Sequence, residues 1–125
     1  MRPHDNPRVL VVDDRLEMAE TLAEGLDERG FQAVSISSGK EAIRMLQSEH
    51  FDAIVTDLRM PEIDGLALLR ASYGLDPSRP VILMTAYGSV ASALEASGLG
   101  AYHYLMKPFR LDALVWLIER ALAGP

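Results

Sequence analysis

Ala53-Ile54-Val55-Thr56-Asp57-Leu58-Arg59-Met60-Pro61 is the stretch from which the fold is read. An apolar, β-branched run that ends in an acid, with a proline four residues later, reads as a buried strand delivering one carboxylate to a loop. Asp57 is therefore the candidate reacting group. Two other runs have the same form: Val9-Leu10-Val11-Val12 leads into Asp13-Asp14, and Tyr102-His103-Tyr104-Leu105-Met106 leads into Lys107-Pro108.

Outward from that stretch, apolar runs alternate with helix-like segments, the signature of a parallel sheet covered by helices on both faces. Five of each are expected. Strands are predicted at Val9 to Val12, Gln32 to Ile36, Ala53 to Asp57, Val81 to Met84 and Ala101 to Leu105. The first helix runs from about Leu16 to Arg29, with Met18, Leu22 and Leu26 sharing an inner face, and Gly30 stops it. Ser38 is placed to cap a second helix whose Ala42, Ile43 and Leu46 turn inward. Pro61 to Asp64 form a loop, Leu66 and Leu69 anchor a short third helix, and Tyr73 to Pro80 form a connection. A fourth helix opens at Gly88-Ser89 and has few large apolar anchors, which makes it the most loosely held. The last helix spans Leu111 to Ala123, with Leu114, Leu117, Ile118 and Leu122 inward and Asp112 in its first turn.

A chain of 125 residues, 49% hydrophobic, supports one domain with a core of its own. The absence of cysteine excludes disulfides and thiolate metal sites. No apolar run reaches membrane-spanning length and the first residues lack a signal-peptide pattern, so a cytoplasmic location is expected. A formal charge of −6 argues against direct nucleic-acid binding by this segment, which is dominated by clustered Lys and Arg. None of His4, His50 and His103 has metal-ligand company.

In open α/β sheets, ligands bind beyond the carboxyl ends of the strands, near the point where strand order reverses. Asp13, Asp14, Asp57, Thr85 and Lys107 all stand at such ends. With the strand order 2-1-3-4-5, strands one and three are neighbours and three carboxylates share one mouth. Two unit charges about 5 Å apart at an effective dielectric near 20 repel by roughly 3 kcal/mol. The cluster therefore calls for protonation or a cation. All-oxygen ligands favour a hard ion such as Mg²⁺, with Mn²⁺ as a substitute. Taken singly, each residue has an ordinary explanation: an Asp after a strand caps a helix or forms a turn, and a strand-end Thr is commonplace. Their convergence on one edge is what ordinary explanations do not supply.

With those residues assembled, the chain resembles the receiver domain of two-component response regulators. The resemblance covers nearly everything from Arg8 to Ala123. It rests on Val11-Val12-Asp13-Asp14, on Asp57-Leu58-Arg59-Met60-Pro61-Glu62-Ile63-Asp64-Gly65, on Met84-Thr85-Ala86 and on Tyr104-Leu105-Met106-Lys107-Pro108-Phe109. Met84-Thr85-Ala86-Tyr87-Gly88-Ser89 and Gly100-Ala101-Tyr102 look most like receivers attached to sigma-54-dependent enhancer-binding activators.

The resemblance implies a flavodoxin-like doubly wound fold, a three-layer sandwich of five strand–helix units. It implies that Asp57 is the phosphoacceptor for a sensor histidine kinase. Asp14, Asp13, Asp57 and the backbone carbonyl of Arg59 would hold Mg²⁺. Lys107 would pair with the incoming phosphoryl group, Thr85 would hydrogen-bond it, Tyr104 would be the switch aromatic, and Pro108 would follow a cis peptide bond. Such a domain is a signalling element rather than a conventional enzyme, catalysing only its own phosphoryl transfer and autodephosphorylation. The fourth helix, fifth strand and fifth helix would form the output surface, toward a second copy or an attached output domain that controls transcription. Residues 1–7 are then a flexible arm, 8–123 the receiver domain and 124–125 the start of a linker.

Four positions depart from or vary within that pattern. Arg15 stands where a Glu is common, Arg110 where a helix-capping Asp, Asn or Ser is usual, and Arg59 and Tyr87 flank the path of attacking water, which bears on how long a phosphorylated state lasts. The alternative function is a receiver-like interaction module that works without phosphorylation. An aspartate-based phosphatase would need an Asp-x-Asp pattern after strand one, which Asp13-Asp14-Arg15-Leu16 does not supply. A flavodoxin-type flavin carrier would need a phosphate cradle where the two acids stand.

Overall fold

Alternation along the strands divides the protein into two cores. In the computed structural model, which describes residues 6–86, 98 and 103–123, Val9, Val11, Val55, Ile82 and Met84 bury on one face of a central sheet. Leu10, Val12, Ile54, Val81 and Leu83 bury on the other. Near-continuous apolar runs in the central strands are what a parallel sheet covered on both sides requires.

The described elements are β1 (Arg8–Val12), α1 (Leu16–Asp27), β2 (Gln32–Ile36), α2 (Gly39–Ser48), β3 (Ala53–Asp57), α3 (Gly65–Leu75), β4 (Val81–Thr85), β5 (His103–Met106) and α4 (Leu111–Ala123). All pairings are parallel, and the sheet order is β2-β1-β3-β4-β5. This is the flavodoxin-like fold expected. Helices α1 and α4 pack on the first face, and α2 and α3 on the second. The helix predicted over 88–97 and the first two residues of the predicted fifth strand lie outside the described residues. Among the described residues, α4 is the helix counted fifth in the sequence.

Three local expectations are corrected. Met18 is 42% exposed, and the inner stripe of α1 is Ala19, Ala23 and Leu26, with Leu22 only partly buried. The small alanines face the sheet, while Met18 and Leu22 line a cleft beside Pro108 and Phe109. Helix α3 continues through Tyr73, Gly74 and Leu75, residues whose composition predicts a connection. Its inward residues Leu68, Leu69 and Ser72 keep the helical period, and Tyr73 and Leu75 fall on the exposed side. Strand β5 ends one residue later than predicted, at Met106.

Other signals hold. The Ser38 side chain accepts a hydrogen bond from the Glu41 amide at 3.2 Å, capping α2. Gly30, with φ 94°, lies just beyond α1. Leu114, Leu117 and Ile118 of α4 are buried.

Candidate functional site

The register that pairs Val12 with Thr56 puts Asp13 abreast of Asp57 at the carboxyl ends of β1 and β3. Side chains alternate along a strand. Asp13 shares parity with Val9 and Val11, Asp57 with Ala53 and Val55, and Lys107 with Leu105, and all of these apolar residues belong to the face covered by α1 and α4. One alternation rule on three strands therefore directs the two acids and the lysine toward one side of the sheet edge.

Asp13, Asp14 and Asp57 each offer a carboxylate oxygen, and these atoms lie within 4.8 Å of one another. Asp13 is almost wholly buried, whereas Asp14 is exposed. Lys107 Nζ donates to Asp13 Oδ2 at 3.0 Å and lies 3.6 Å from Asp57 Oδ2. The second Asp13 oxygen accepts the Arg15 backbone amide at 3.0 Å. Burial pushes the Asp57 carboxyl above its ordinary range; Lys107 opposes the shift and the negative charges of Asp13 and Asp14 add to it. Ionising an acid beside two others in a partly dry mouth is costly, and a bound cation would offset that cost.

The donor set suits a divalent metal. It consists of carboxylate oxygens only, with no nitrogen or sulfur ligand in the cluster, and one acid is solvent-facing, which suits a hard ion that retains water. Asp13, Asp14 and Asp57 would hold such an ion.

Thr85 closes β4 and is buried, and its carbonyl accepts the Lys107 amide at 2.7 Å. The hydroxyl-bearing strand end and the lysine are thus joined through the backbone. The Lys107–Pro108 peptide bond is cis, as expected. Tyr104 is 38% exposed on β5, beside His103. Arg59 lies in the segment between β3 and α3, and Tyr87 is outside the described residues. The Arg15 guanidinium lies 3.8 Å from Glu17, both side chains being well exposed.

Sequence reasoning missed three contributors. The Arg15 amide on Asp13 is one, and the Asp64 side chain, which accepts the Ala67 amide at 2.9 Å and caps α3, is another. The pattern Asp64-Gly65-Leu66, an acid just before an apolar helix, was the available signal. The third is Gly65, where an added Cβ would lie 2.5 Å from the Asp57 carbonyl oxygen, so the chain leaving the site passes back against it.

Residues 9–119 match the family described as the response regulator receiver domain. The transcriptional regulatory protein ZraR of Escherichia coli (strain K12) is 41% identical over 120 residues, 96% of this chain and 27% of that protein. The C4-dicarboxylate transport transcriptional regulatory protein DctD of Rhizobium meliloti (strain 1021) is 37% identical over 92% of this chain and 25% of its own length. The chain therefore spans about a quarter of the curated relatives it matches. Among solved structures, the beryllofluoride-activated NtrC4 receiver domain dimer superimposes with a TM-score of 0.87 at 34% identity, covering 93% of this chain and 96% of that one.

Proposed function

The chain belongs to the response regulator receiver domain family, and from that premise we propose that it takes a phosphoryl group from a sensor histidine kinase onto Asp57 in a Mg²⁺-dependent reaction. The observation that carries this reading is the cluster itself: three carboxylates within 4.8 Å, with one ammonium between the first and the third. A purely structural edge has no use for such an arrangement, which is repulsive without a cation.

In the transfer, an Asp57 carboxylate oxygen attacks phosphorus as the bond from phosphorus to the kinase imidazole nitrogen breaks. The bonding pair returns to the imidazole, which is then neutral or protonated by solvent. Phosphoryl transfer asks mainly for alignment and charge neutralisation. Asp13, Asp14, Asp57 and the Arg59 carbonyl would hold Mg²⁺, or Mn²⁺ in its place, and the ion would supply neutralising charge to the transferring oxygens. Lys107 moves from Asp13 toward the phosphoryl oxygens, and Thr85 donates a hydrogen bond to one of them. Hydrolysis of the acyl phosphate resets Asp57, so the domain is a signalling element that catalyses only its own phosphoryl transfer and autodephosphorylation.

The added negative charge at Asp57 biases Thr85 and, through it, Tyr104 and the surface of β5 and α4; the helix expected over 88–97 lies outside the described residues. That surface serves a homodimer or an attached output domain. The names of ZraR and DctD support control of transcription, and the NtrC4 receiver dimer supports self-association. The likeness to receivers of sigma-54-dependent activators points the same way. The domain plan is the receiver over 8–123 with its cis Pro108, and Pro7 is already tied to it, its carbonyl accepting the Gln32 amide at 2.8 Å. The domain itself contacts neither nucleic acid nor membrane and works in the cytoplasm; among the described residues no helix is long and apolar enough to cross a bilayer.

The test is incubation with acetyl phosphate and Mg²⁺, followed by intact mass and mapping of the modified residue. A single added phosphoryl group on Asp57, absent in Asp57→Asn and absent with chelator, is expected. A parent chain that stays unmodified leaves the phosphorylation-independent interaction module as the function.

A further inference from the structure

The end of β2 and the start of α2 touch both segments that leave the acidic mouth, the one at Asp13 and the one that follows Asp57. At one end the Ile36 carbonyl accepts the Asp13 amide at 3.2 Å. At the other, Gly39 opens α2 under the segment that follows Asp57. A Cβ added at Gly39 would lie 2.5 Å from the Ile63 carbonyl oxygen, 2.9 Å from Ile63 Cβ and 3.0 Å from Ile63 Cγ2. The nearest obstacle is a backbone atom, which cannot swing aside as a side-chain tip does. Gly39 is buried, and the turn it begins is fixed by the Ser38 cap and by the Ala42 amide bonding the Ser38 carbonyl at 3.0 Å.

The segment held this way is short and determined at its base. The Gly65 amide donates to the Leu58 carbonyl at 2.9 Å, closing the chain just beyond Asp57. Between them Glu62 takes a left-handed φ of 65°, a conformation uncommon for a non-glycine residue and kept only where surroundings enforce it. Ile63, the next residue, is the one whose backbone and side chain rest against Gly39.

We propose that Gly39 is a positioning residue for the carboxylate cluster: the connection from Ile36 to Gly39 braces the backbones bearing Asp13 and Asp57 at the spacing a divalent cation needs. The inference rests on the reading of Asp13, Asp14 and Asp57 as a cation site. Metal sites tolerate ligand errors of only about half an ångström, and a methyl at Gly39 pushes the segment away by more than that.

The experiment is calorimetric titration of Mg²⁺ into the parent, Gly39→Ala and Gly74→Ala, with thermal melts recorded in chelator. Gly74 is the control, because nothing lies within 4 Å of a Cβ added there. Gly39→Ala is expected to bind Mg²⁺ about tenfold more weakly, a loss of about 1.4 kcal/mol, with slower acetyl-phosphate labelling still confined to Asp57. Gly74→Ala is expected to match the parent. The melts in chelator report stability separately, so a lowered melting temperature with unchanged Mg²⁺ affinity counts against the inference. If Gly39→Ala does not fold, Ile63→Ala replaces it, removing the side chain that rests on Gly39, with a smaller loss expected in the same direction. A folded Gly39→Ala, or failing that Ile63→Ala, that binds Mg²⁺ as tightly as the parent overturns this inference alone. A parent that binds no Mg²⁺ overturns the cation reading and the inference with it.

Discussion

The Lys107 ammonium sits closer to Asp13 than to Asp57, 3.0 Å against 3.6 Å. It therefore rests on the acid that is not the proposed acceptor, and the most buried of the three carboxylates has both oxygens engaged, one by Lys107 and one by the Arg15 amide. Without a divalent ion, Lys107 is the counter-charge that makes the cluster tolerable.

Removing that counter-charge gives the first prediction. Lys107→Met should destabilise the cation-free protein by about 1–3 kcal/mol, because Asp13 is left buried without its charged partner. Saturating Mg²⁺ should narrow the gap, since binding to the native state alone adds stability. Urea denaturation with and without Mg²⁺ reads both effects. Equal stability of parent and variant in chelator would show that the ammonium offsets nothing.

The second prediction concerns pH. Burial, with Asp13 and Asp14 adding to it, holds the Asp57 carboxyl above its ordinary value of 3.8 despite Lys107. A native pKa above the unfolded one means that the native state binds more protons between the two, so stability falls as pH rises through the native value. Ionised Asp57 is then a cost at neutral pH. Asp57→Asn should be more stable than the parent near pH 7 in chelator, and the advantage should shrink as pH falls toward 3.8 and vanish below it. Denaturation midpoints across that range decide; a variant less stable than the parent at neutral pH contradicts the shift.

What could be read from residue order follows a physical line. Strand alternation and the shared carboxyl edge were enough to bring Asp13, Asp57 and Lys107 together, because each is set by a period of two that leaves a mark in side-chain type. Contacts made by backbone leave no such mark: the Ile36 carbonyl on Asp13 and the seat of Ile63 on Gly39 depend on how closely two chains approach. In α1 the apolar pattern allowed two faces, through Met18 or through Ala19, and the small residue faced the sheet, where α1 packs. In α3 the Gly and Tyr near its end resembled a connection, and burial of Ser72 kept the helix going.

Two helix caps give a third prediction. Ser38 accepts the Glu41 amide at 3.2 Å and Asp64 accepts the Ala67 amide at 2.9 Å. Ser38→Ala and Asp64→Ala should each cost about 1 kcal/mol, while Asp64→Asn, which still offers an oxygen, should cost less. Chemical denaturation of the three variants measures this. An Asp64→Ala as stable as Asp64→Asn would mean that the bond to Ala67 adds nothing.

Phe51 joins the second core to the far end of the sheet. It is fully buried among residues that include Leu46 and Leu69, and the Arg8 guanidinium stacks over its ring at 4.5 Å from the centroid. Arg8 is held there by the His50 carbonyl at 2.9 Å and by Glu49 at 3.1 Å. Phe51→Ala should cost about 3–5 kcal/mol, a large share of the stability of a domain of this size. Phe51→Leu keeps most of the apolar burial and loses the ring face. The cation–π part is isolated by a cycle of Phe51→Leu, Arg8→Met and the double variant, with an expected coupling of about 0.5–1 kcal/mol. Because this end lies opposite the carboxylates, the same variants, where folded, should label at Asp57 at the parent's rate. A changed rate in Phe51→Leu would mean that packing beneath β1 and β3 reaches the acids at their other ends.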